Sequence, residues 1–269
     1  MSSTASTAPR TVVVYPNRSL LHEAVASRLL IALSDRLAVA DRADIALTGG
    51  RDGNAVLAAL PANPLNAIVD WSRVHLWWGD ERFVAADDPD RNARQAREAW
   101  FGAMVASGRI PESHVHEMPA DTRSAAEIAD ATDADNDAVL ARAAADYQAE
   151  IERELGADGT FDVAMFGIGP DGHFASLFPD HPEMLADDPA VAVTGVNHSP
   201  KLPPLRVSLT VPFIHACHAV WMIASTPGKA DAVAGALAGV NNPHVPSSFA
   251  AGREQSLWLL DCDANAKRG

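Results

Sequence analysis

The chain has 269 residues, 48% of them hydrophobic, enough to bury the core of one or two domains, and its formal charge of -14 argues against binding a nucleic-acid backbone, which needs a basic stripe. Cys217 and Cys262 stand far apart without CxxC spacing, which indicates neither a disulfide framework nor a thiolate metal site and fits a reducing compartment. No apolar run of about 18 residues offers a membrane span, and the small, polar start lacks the apolar core of a secretory signal, so the expectation is a cytoplasmic protein with a disordered tail over residues 1–10 and a single α/β domain over residues 11–263.

In chain order, residues 11–15 form the first short apolar run and read as a strand. Leu20, Leu21, Ala24, Val25, Leu29 and Leu33 then recur at helical spacing, with Asn17 or Ser19 placed as the N-cap. Strands are expected at 44–47 and 73–78, followed by a helix over 90–101. Residues 120–145, rich in Ala and Asp, read as a solvated linker into a surface helix over 136–155. Its Asp130, Asp133, Asp135 and Asp137 lack the Gly and terminal Glu of an EF-hand. Further strands are expected at 161–166, 190–196, 219–224 and 256–260, with a helix over 229–237. Strands alternating with helices imply βαβ units: an α/β fold with a mostly parallel sheet covered by helices on both faces. In such sheets ligands bind beyond the carboxyl ends of the strands, which directs attention to the loops that follow them.

The most informative loop is Gly167-Ile168-Gly169-Pro170-Asp171-Gly172-His173, followed by Phe174-Ala175-Ser176-Leu177-Phe178-Pro179. A buried strand enters a glycine turn that should open a short helix ending at Pro179. The free N–H groups of that helix would suit an anion, and its dipole would keep His173 neutral and able to accept a proton. Asp171 would orient the ring or stabilise its cation, as the acid does in hydrolytic triads; the plainer alternative is that His173 only caps the helix. The spacing Gly167, Gly169, Gly172 also matches GxGxxG, but Pro170 interrupts the turn and Pro179 cuts the helix short, against a dinucleotide site.

Gly79-Asp80-Glu81-Arg82-Phe83-Val84 follows another strand, and three adjacent charges there are costly to bury unless they pair or meet a ligand. Arg82 would hold a phosphate or polarise a carbonyl with Asp80 or Glu81 fixing its guanidinium; the alternative is a surface ion-pair cluster. The turn containing Gly49, Gly50 and Arg51 can present backbone amides to a phosphate, or be only a glycine-rich turn. Prolines stiffen residues 199–210 and hold Lys201 and Arg206 in one segment, which read alone is equally an exposed connection. With Arg51 and Arg82 these residues supply the local cations that an anionic substrate requires on so acidic a chain.

Together these segments resemble the 6-phosphogluconolactonase family, of the bacterial type related to glucosamine-6-phosphate deaminases, from about Val12 to Asp261. The carrying motifs are residues 167–179, residues 79–84, the stretch from Lys201 to Thr210, and Pro227-Gly228-Lys229-Ala230. The resemblance implies a Rossmann-like parallel sheet, hydrolysis of a phosphorylated sugar lactone in the pentose phosphate pathway, and His173 as general base with no metal or cofactor. Asp171 and Arg82 would share the catalytic site, and Gly49, Gly50, Arg51, Asp80, Glu81, Lys201 and Arg206 would bind substrate. A monomer is slightly favoured, with neither nucleic acid nor membrane as partner. Two departures matter. The family's glycine loop usually reads Ser-Gly-Gly-Ser-Thr-Pro, where this chain has Arg51-Asp52-Gly53 after Gly50; and the deaminases continue into Asn-Glu-Pro, where this chain has Ser176-Leu177-Phe178-Pro179. A non-catalytic sugar-phosphate sensor is the alternative from another class.

Overall fold

A computed structural model describes residues 7–268. Strand β1 (Arg10–Tyr15) leads into helix α1 (Arg18–Val39), and β2 (Ala43–Leu47) into α2 (Gly50–Ala59). Next come β3 (Val74–Trp78) and the short β4 (Asp80–Arg82). Helix α3 (Asn92–Ala96) passes through a π-helical turn, Arg97–Phe101, into α4 (Gly102–Ala106). After α5 (Ala125–Asp130) and α6 (Asp133–Leu155) the chain forms β5 (Val163–Gly167), β6 (Val193–Val196) and β7 (Arg206–Leu209). It ends with α7 (Val211–Ala216), β8 (Ala219–Ala224), α8 (Ala230–Ala238) and β9 (Gln255–Asp261).

Six strands form one sheet in the order β1-β9-β8-β5-β2-β3, every neighbouring pair parallel. Strand β3 shows why both faces need helices: side chains alternate along it, so Trp77 packs toward Tyr147 of α6, whereas Trp78 packs toward Phe101 beside α4. Helix α1 is capped by Asn17, whose side chain accepts from Leu20 N–H at 2.9 Å, and buries Leu21, Val25, Leu29, Leu33 and Leu37. On its expected apolar face Ala24 is half-buried and Leu20, on the first turn, is 49% exposed.

Four expectations need correction. Residues 1–6 of the expected tail lie outside the described residues, and residues 7–10 are not a loose tail. Ala8 donates to Gly252 O at 2.8 Å and accepts from Ser256 Oγ at 2.9 Å, which ties the chain to β9 before β1 begins. The linker over 120–145 is largely helical, because Ser124 with Glu127 and Thr132 with Asp135 form capping boxes that start α5 and α6. Strand β6 lies outside the main sheet, in a separate antiparallel sheet ordered β4-β7-β6. Finally, no helix follows the glycine turn after β5: Gly172, Ala175 and Asp180 all take positive φ, and such residues interrupt a right-handed helix.

The direction of strand order changes between β2 and β5, since the chain runs from β2 outward to β3 but from β5 outward to β8 and β9. The loops after these two strands therefore diverge to opposite sides and leave a crevice at their carboxyl ends. Gly167 N–H donates across it to Thr48 Oγ1 at 3.3 Å, holding the two loop bases together.

At the sheet edge, Trp78 N–H donates to the Tyr147 hydroxyl at 3.0 Å, and that hydroxyl lies 3.3 Å from the carbonyls of Trp78 and His116. Tyr147 is fully buried, so no water can replace it. Tyr147→Phe should therefore lower the unfolding free energy by about 1–3 kcal/mol, through the orphaned Trp78 N–H, measurable by urea denaturation at pH 7.

Candidate active site

The crevice opens into a cavity of about 440 Å³, large enough for a sugar phosphate. Its walls come from the loop after β2, strands β4 and β7, the turn after β5, the segment before β7 and the end of β8. Two glycines permit the close approach. A Cβ on Gly49 would overlap the Asn92 side-chain amide, and one on Gly169 would overlap both Nδ1 of His173 and Oδ1 of Asp171.

The turn after β5 folds back on itself, Gly169 N–H donating to His173 O at 2.8 Å. That places His173 Nδ1 2.5 Å from Asp171 Oδ1, while Lys201 Nζ sits 3.3 Å from the other oxygen of the same carboxylate. Burial works to raise the Asp171 pKa, but the hydrogen bond and charge of His173, with Lys201, hold it well below the usual carboxylate range. An ionised Asp171 accepts the Nδ1 proton and leaves Nε2, without a partner among the described residues, as the lone-pair nitrogen. With no helix in this segment, no dipole acts on His173; the carboxylate alone sets its tautomer.

Strand alternation sorts the three charges of β4. Asp80 and Arg82 line the cavity, whereas Glu81 points the opposite way and is 0% exposed. Glu81 is thus removed from the expected substrate contacts. Its carboxylate accepts from the N–H groups of Arg82, Asn92 and Ala93 at 2.8, 2.7 and 2.8 Å, and so anchors the start of α3. Burial pushes its pKa up to about 7 against the pull of Arg91 and these amides. Asp80 accepts from Ser176 Oγ at 2.7 Å. Arg82 pairs in register with Arg206 of β7, so both guanidinium groups rise from one face. Arg82 spends Nη1 on Asp90 O, and its buried Nε has no hydrogen-bond partner among the described residues. Arg206 is 4% exposed and donates to the carbonyls of Pro203, Lys201 and Leu202, which fixes the loop that carries Lys201. Burial pushes it down to about 10, with Asp80 opposing and Arg82 assisting.

The departure in the glycine loop has a structural account. Asp52, in the first turn of α2, accepts from Arg18 Nε at 3.2 Å, Ser225 Oγ at 2.6 Å and Ser225 N–H at 3.2 Å, and its Oδ1 lies 3.0 Å from His22 Nε2. Burial would raise Asp52, but hydrogen bonds from His22 and Ser225 and the charges of His22 and Arg18 bring it to about 2. The carboxylate thus joins α1, α2 and β8, and the stability it lends is complete above about pH 4 and fades as pH falls toward 2. Arg51 beside it is exposed, borders the cavity and has no ion-pair partner among the described residues.

Gly49, Gly50, Arg51, Asp80, Arg82, His173, Lys201 and Arg206 all line the cavity, with Asp171 behind His173. Sequence reasoning missed Arg18, Asn92 and Lys229, which line it too. Lys229 donates to Ile168 O, and its pKa is lowered chiefly by burial. Its signal was the Pro227-Gly228-Lys229-Ala230 motif, noticed without a role. Among the described residues, one grouping of three metal-donor side chains exists, His75, His116 and Glu154, and it lies outside this cavity. No described helix is long and apolar enough to cross a membrane.

Residues 16–258 match the family model described as glucosamine-6-phosphate isomerases/6-phosphogluconolactonase. The chain is 41% identical over 258 residues to a 6-phosphogluconolactonase of Streptomyces coelicolor, covering 94% of this chain and 92% of that one. It is 40% identical over 256 residues to a 6-phosphogluconolactonase of Mycobacterium tuberculosis, with coverage of 95% and 97%. Among solved structures, the 6-phosphogluconolactonase of Trypanosoma brucei superposes with a TM-score of 0.80 at 26% identity, over 98% of this chain and 100% of that one.

The reassignment of Glu81 has a direct test. Glu81→Ala orphans three buried N–H groups and should cost about 2–4 kcal/mol of stability by thermal or urea unfolding, while KM of the folded enzyme stays within about twofold of wild type. A KM raised tenfold with stability intact would return Glu81 to the substrate site.

Proposed function

The chain belongs to the glucosamine-6-phosphate isomerase/6-phosphogluconolactonase family, and from that membership we infer that it hydrolyses 6-phosphogluconolactone to 6-phosphogluconate, the lactonase step of the pentose phosphate pathway. It is a carboxylic ester hydrolase. The observation that carries the mechanism is the 2.5 Å contact between His173 and Asp171 at the wall of a cavity otherwise rich in cations.

In this mechanism the lactone carbonyl lies beside His173. Nε2 takes a proton from water as its oxygen bonds to the carbonyl carbon, and Asp171 steadies the imidazolium. Arg82, with its unpartnered Nε, and nearby backbone amides stabilise the oxyanion. Collapse breaks the ring C–O bond, and His173 returns its proton to the leaving alkoxide. The lactone is already activated and its leaving group stays tethered, so the reaction as proposed has no step for a metal or cofactor.

The phosphate is assigned to the N-terminal turn of α2, at Gly49 and Gly50, which line the cavity and carry no side-chain cap, with Arg51 and Lys229 as counter-charges. Lys201 serves both ends, since it touches Asp171 and borders the cavity. Arg206 shapes the Lys201 loop and keeps Nη1 for substrate, and Asp80 is assigned to a sugar hydroxyl. The deaminase alternative has no glutamate to use, because Ser176-Leu177-Phe178-Pro179 stands where the deaminases have Asn-Glu-Pro. A sensor would need the cations but not a histidine set against a half-buried, ionised carboxylate. The same reading has the protein act in the cytoplasm as a monomer, without nucleic acid or membrane, in keeping with its charge of -14.

Freshly generated 6-phosphogluconolactone should be turned over, with no ammonia released from glucosamine 6-phosphate; the reverse pattern would overturn the assignment. His173→Ala should lower kcat by roughly 10²- to 10⁴-fold after subtraction of spontaneous hydrolysis, with KM much less affected.

Arg51→Ala and Lys229→Ala should each reduce kcat/KM by about ten- to a hundredfold, mainly through KM, and weaken the preference for phosphorylated over unphosphorylated gluconolactone. Lys201→Ala should lower kcat as well, because it also removes a charge from Asp171. If the Arg51 and Lys229 variants kept the full preference, the phosphate would have to bind at Arg82 and Arg206 instead.

A further inference from the structure

Away from the cavity, the face of the sheet beneath α6 holds a cluster that lactone chemistry does not use. His75 projects from β3 and is 7% exposed; His116, on the strap that crosses the sheet edge, is 2% exposed. His75 Nδ1 and His116 Nε2 face each other at 3.0 Å, with the two rings within 10° of coplanar orientation. The other nitrogen of His116 lies 2.7 Å from Glu150 Oε1. A carboxylate there accepts the Nδ1 proton and leaves Nε2 as a lone pair, the arrangement that orients metal-ligating histidines. Trp77 fixes the His116 plane, stacked at 3.9 Å, and His114 stacks on His75 at 3.8 Å.

Glu154 stands one helical turn after Glu150 on α6 and turns its carboxylate to the same point. Donor atoms of His75, His116 and Glu154 all lie within 4.8 Å of one another. Donors around a tetrahedral zinc stand about 3.4 Å apart, so ligation requires the two nitrogens to part by tenths of an ångström and the carboxylate to close by about one. Two arginines oppose the cluster: Arg42, 3.6 Å from Glu154 but already paired with both oxygens of Asp44 at 2.6 and 2.8 Å, and the exposed Arg153, 3.5 Å from both Glu150 and Glu154. Three carboxylates, Glu150, Glu154 and Asp44, against the two arginines leave the cluster one net negative charge for a cation. Nδ1 of His114, whose ring stacks on His75, is buried without a hydrogen-bond partner among the described residues.

We propose that His75 Nδ1, His116 Nε2 and the Glu154 carboxylate form a structural site for a zinc-class divalent cation, with Glu150 orienting His116 and the fourth position left to water. On binding, His75 moves its proton from Nδ1 to Nε2, and no proton is released. The ion would lock α6, β3 and the strap 112–116 together at the sheet edge. Two imidazoles and one carboxylate suit zinc over magnesium or calcium, which take oxygen donors.

The test is titration of chelator-treated full-length protein with zinc alone, followed by calorimetry and thermal melting. One ion per chain at micromolar or tighter dissociation constant is expected, with Tm raised by several degrees and kcat on the lactone unchanged. Glu154→Gln, on the half-exposed surface of α6, and His116→Gln should each weaken binding at least tenfold, whereas His173→Ala should leave it intact. Because His116→Gln alters a buried site and can impair folding, cobalt substitution in the wild-type chain supplies a second readout: tetrahedral d–d bands and an anomalous diffraction peak between His75 and His116. Failure to bind zinc below about 100 µM, loss of binding with His173→Ala, or a peak elsewhere would overturn the proposal, and none of these outcomes bears on lactonase activity.

Discussion

Neighbouring parallel strands β2 and β5 send their following segments in opposite directions, and the cavity at their carboxyl ends depends on that reversal. A loop leaving β2 must turn toward α2, and a loop leaving β5 must turn away from it, so backbone at both strand ends stands clear of the sheet. The amides at the start of α2 and the His173 turn then face one space. The hydrogen bond from Gly167 to Thr48 keeps the two loop bases in fixed register, so the distance across the crevice is a property of the sheet and not of loop mobility. Loops anchored in this way position reacting groups at low entropic cost.

Electrostatics imposes the second constraint. A chain of charge -14 must hold several cations in one small cavity, and it does so by giving most of them a fixed partner. Arg18 is held by Asp52, Lys201 by Asp171, and Arg206 by three carbonyls. The pKa values of Asp52 and Asp171 are lowered chiefly by their histidine partners, His22 and His173, with Ser225 and Arg18 adding to the first and Lys201 to the second. Among the described residues, Arg51 borders the cavity exposed and without an ion-pair partner.

Buried polar chemistry is used in different ways at the two ends of β3. At its carboxyl end, Glu81 serves the backbone of α3, and the small sheet ordered β4-β7-β6 carries Asp80, Arg82 and Arg206 to the cavity. Toward its amino end, β3 carries the His75 cluster, closed by the strap whose Val115 bridges to Leu76 and by Tyr147 of α6. Strap and helix together cover an edge strand that would otherwise present free backbone groups.

The fold class and the centre of the site were readable in the sequence because both rest on local signals. Short apolar runs alternate with helical periodicity, and the glycine turn sets Asp171 two residues from His173, close enough to pair whatever the rest of the chain does. The resemblance to lactonases rested on that same turn and on the segments around Arg82 and Lys201. Tertiary structure decided what depends on which way a side chain points or on partners distant in the chain. The three adjacent charges of β4 carry no apolar alternation to reveal a strand, so only pairing with β7 could separate Glu81 from Asp80 and Arg82. The expected helix after β5 failed because positive φ at Gly172, Ala175 and Asp180 is set by folding against neighbouring segments. The same holds for the grouping of His75, His116 and Glu154, which come from a strand, a strap and a helix. Sequence spacing reports neighbours along one element; contacts between elements exist only once the sheet, its edge and its covering helices have packed.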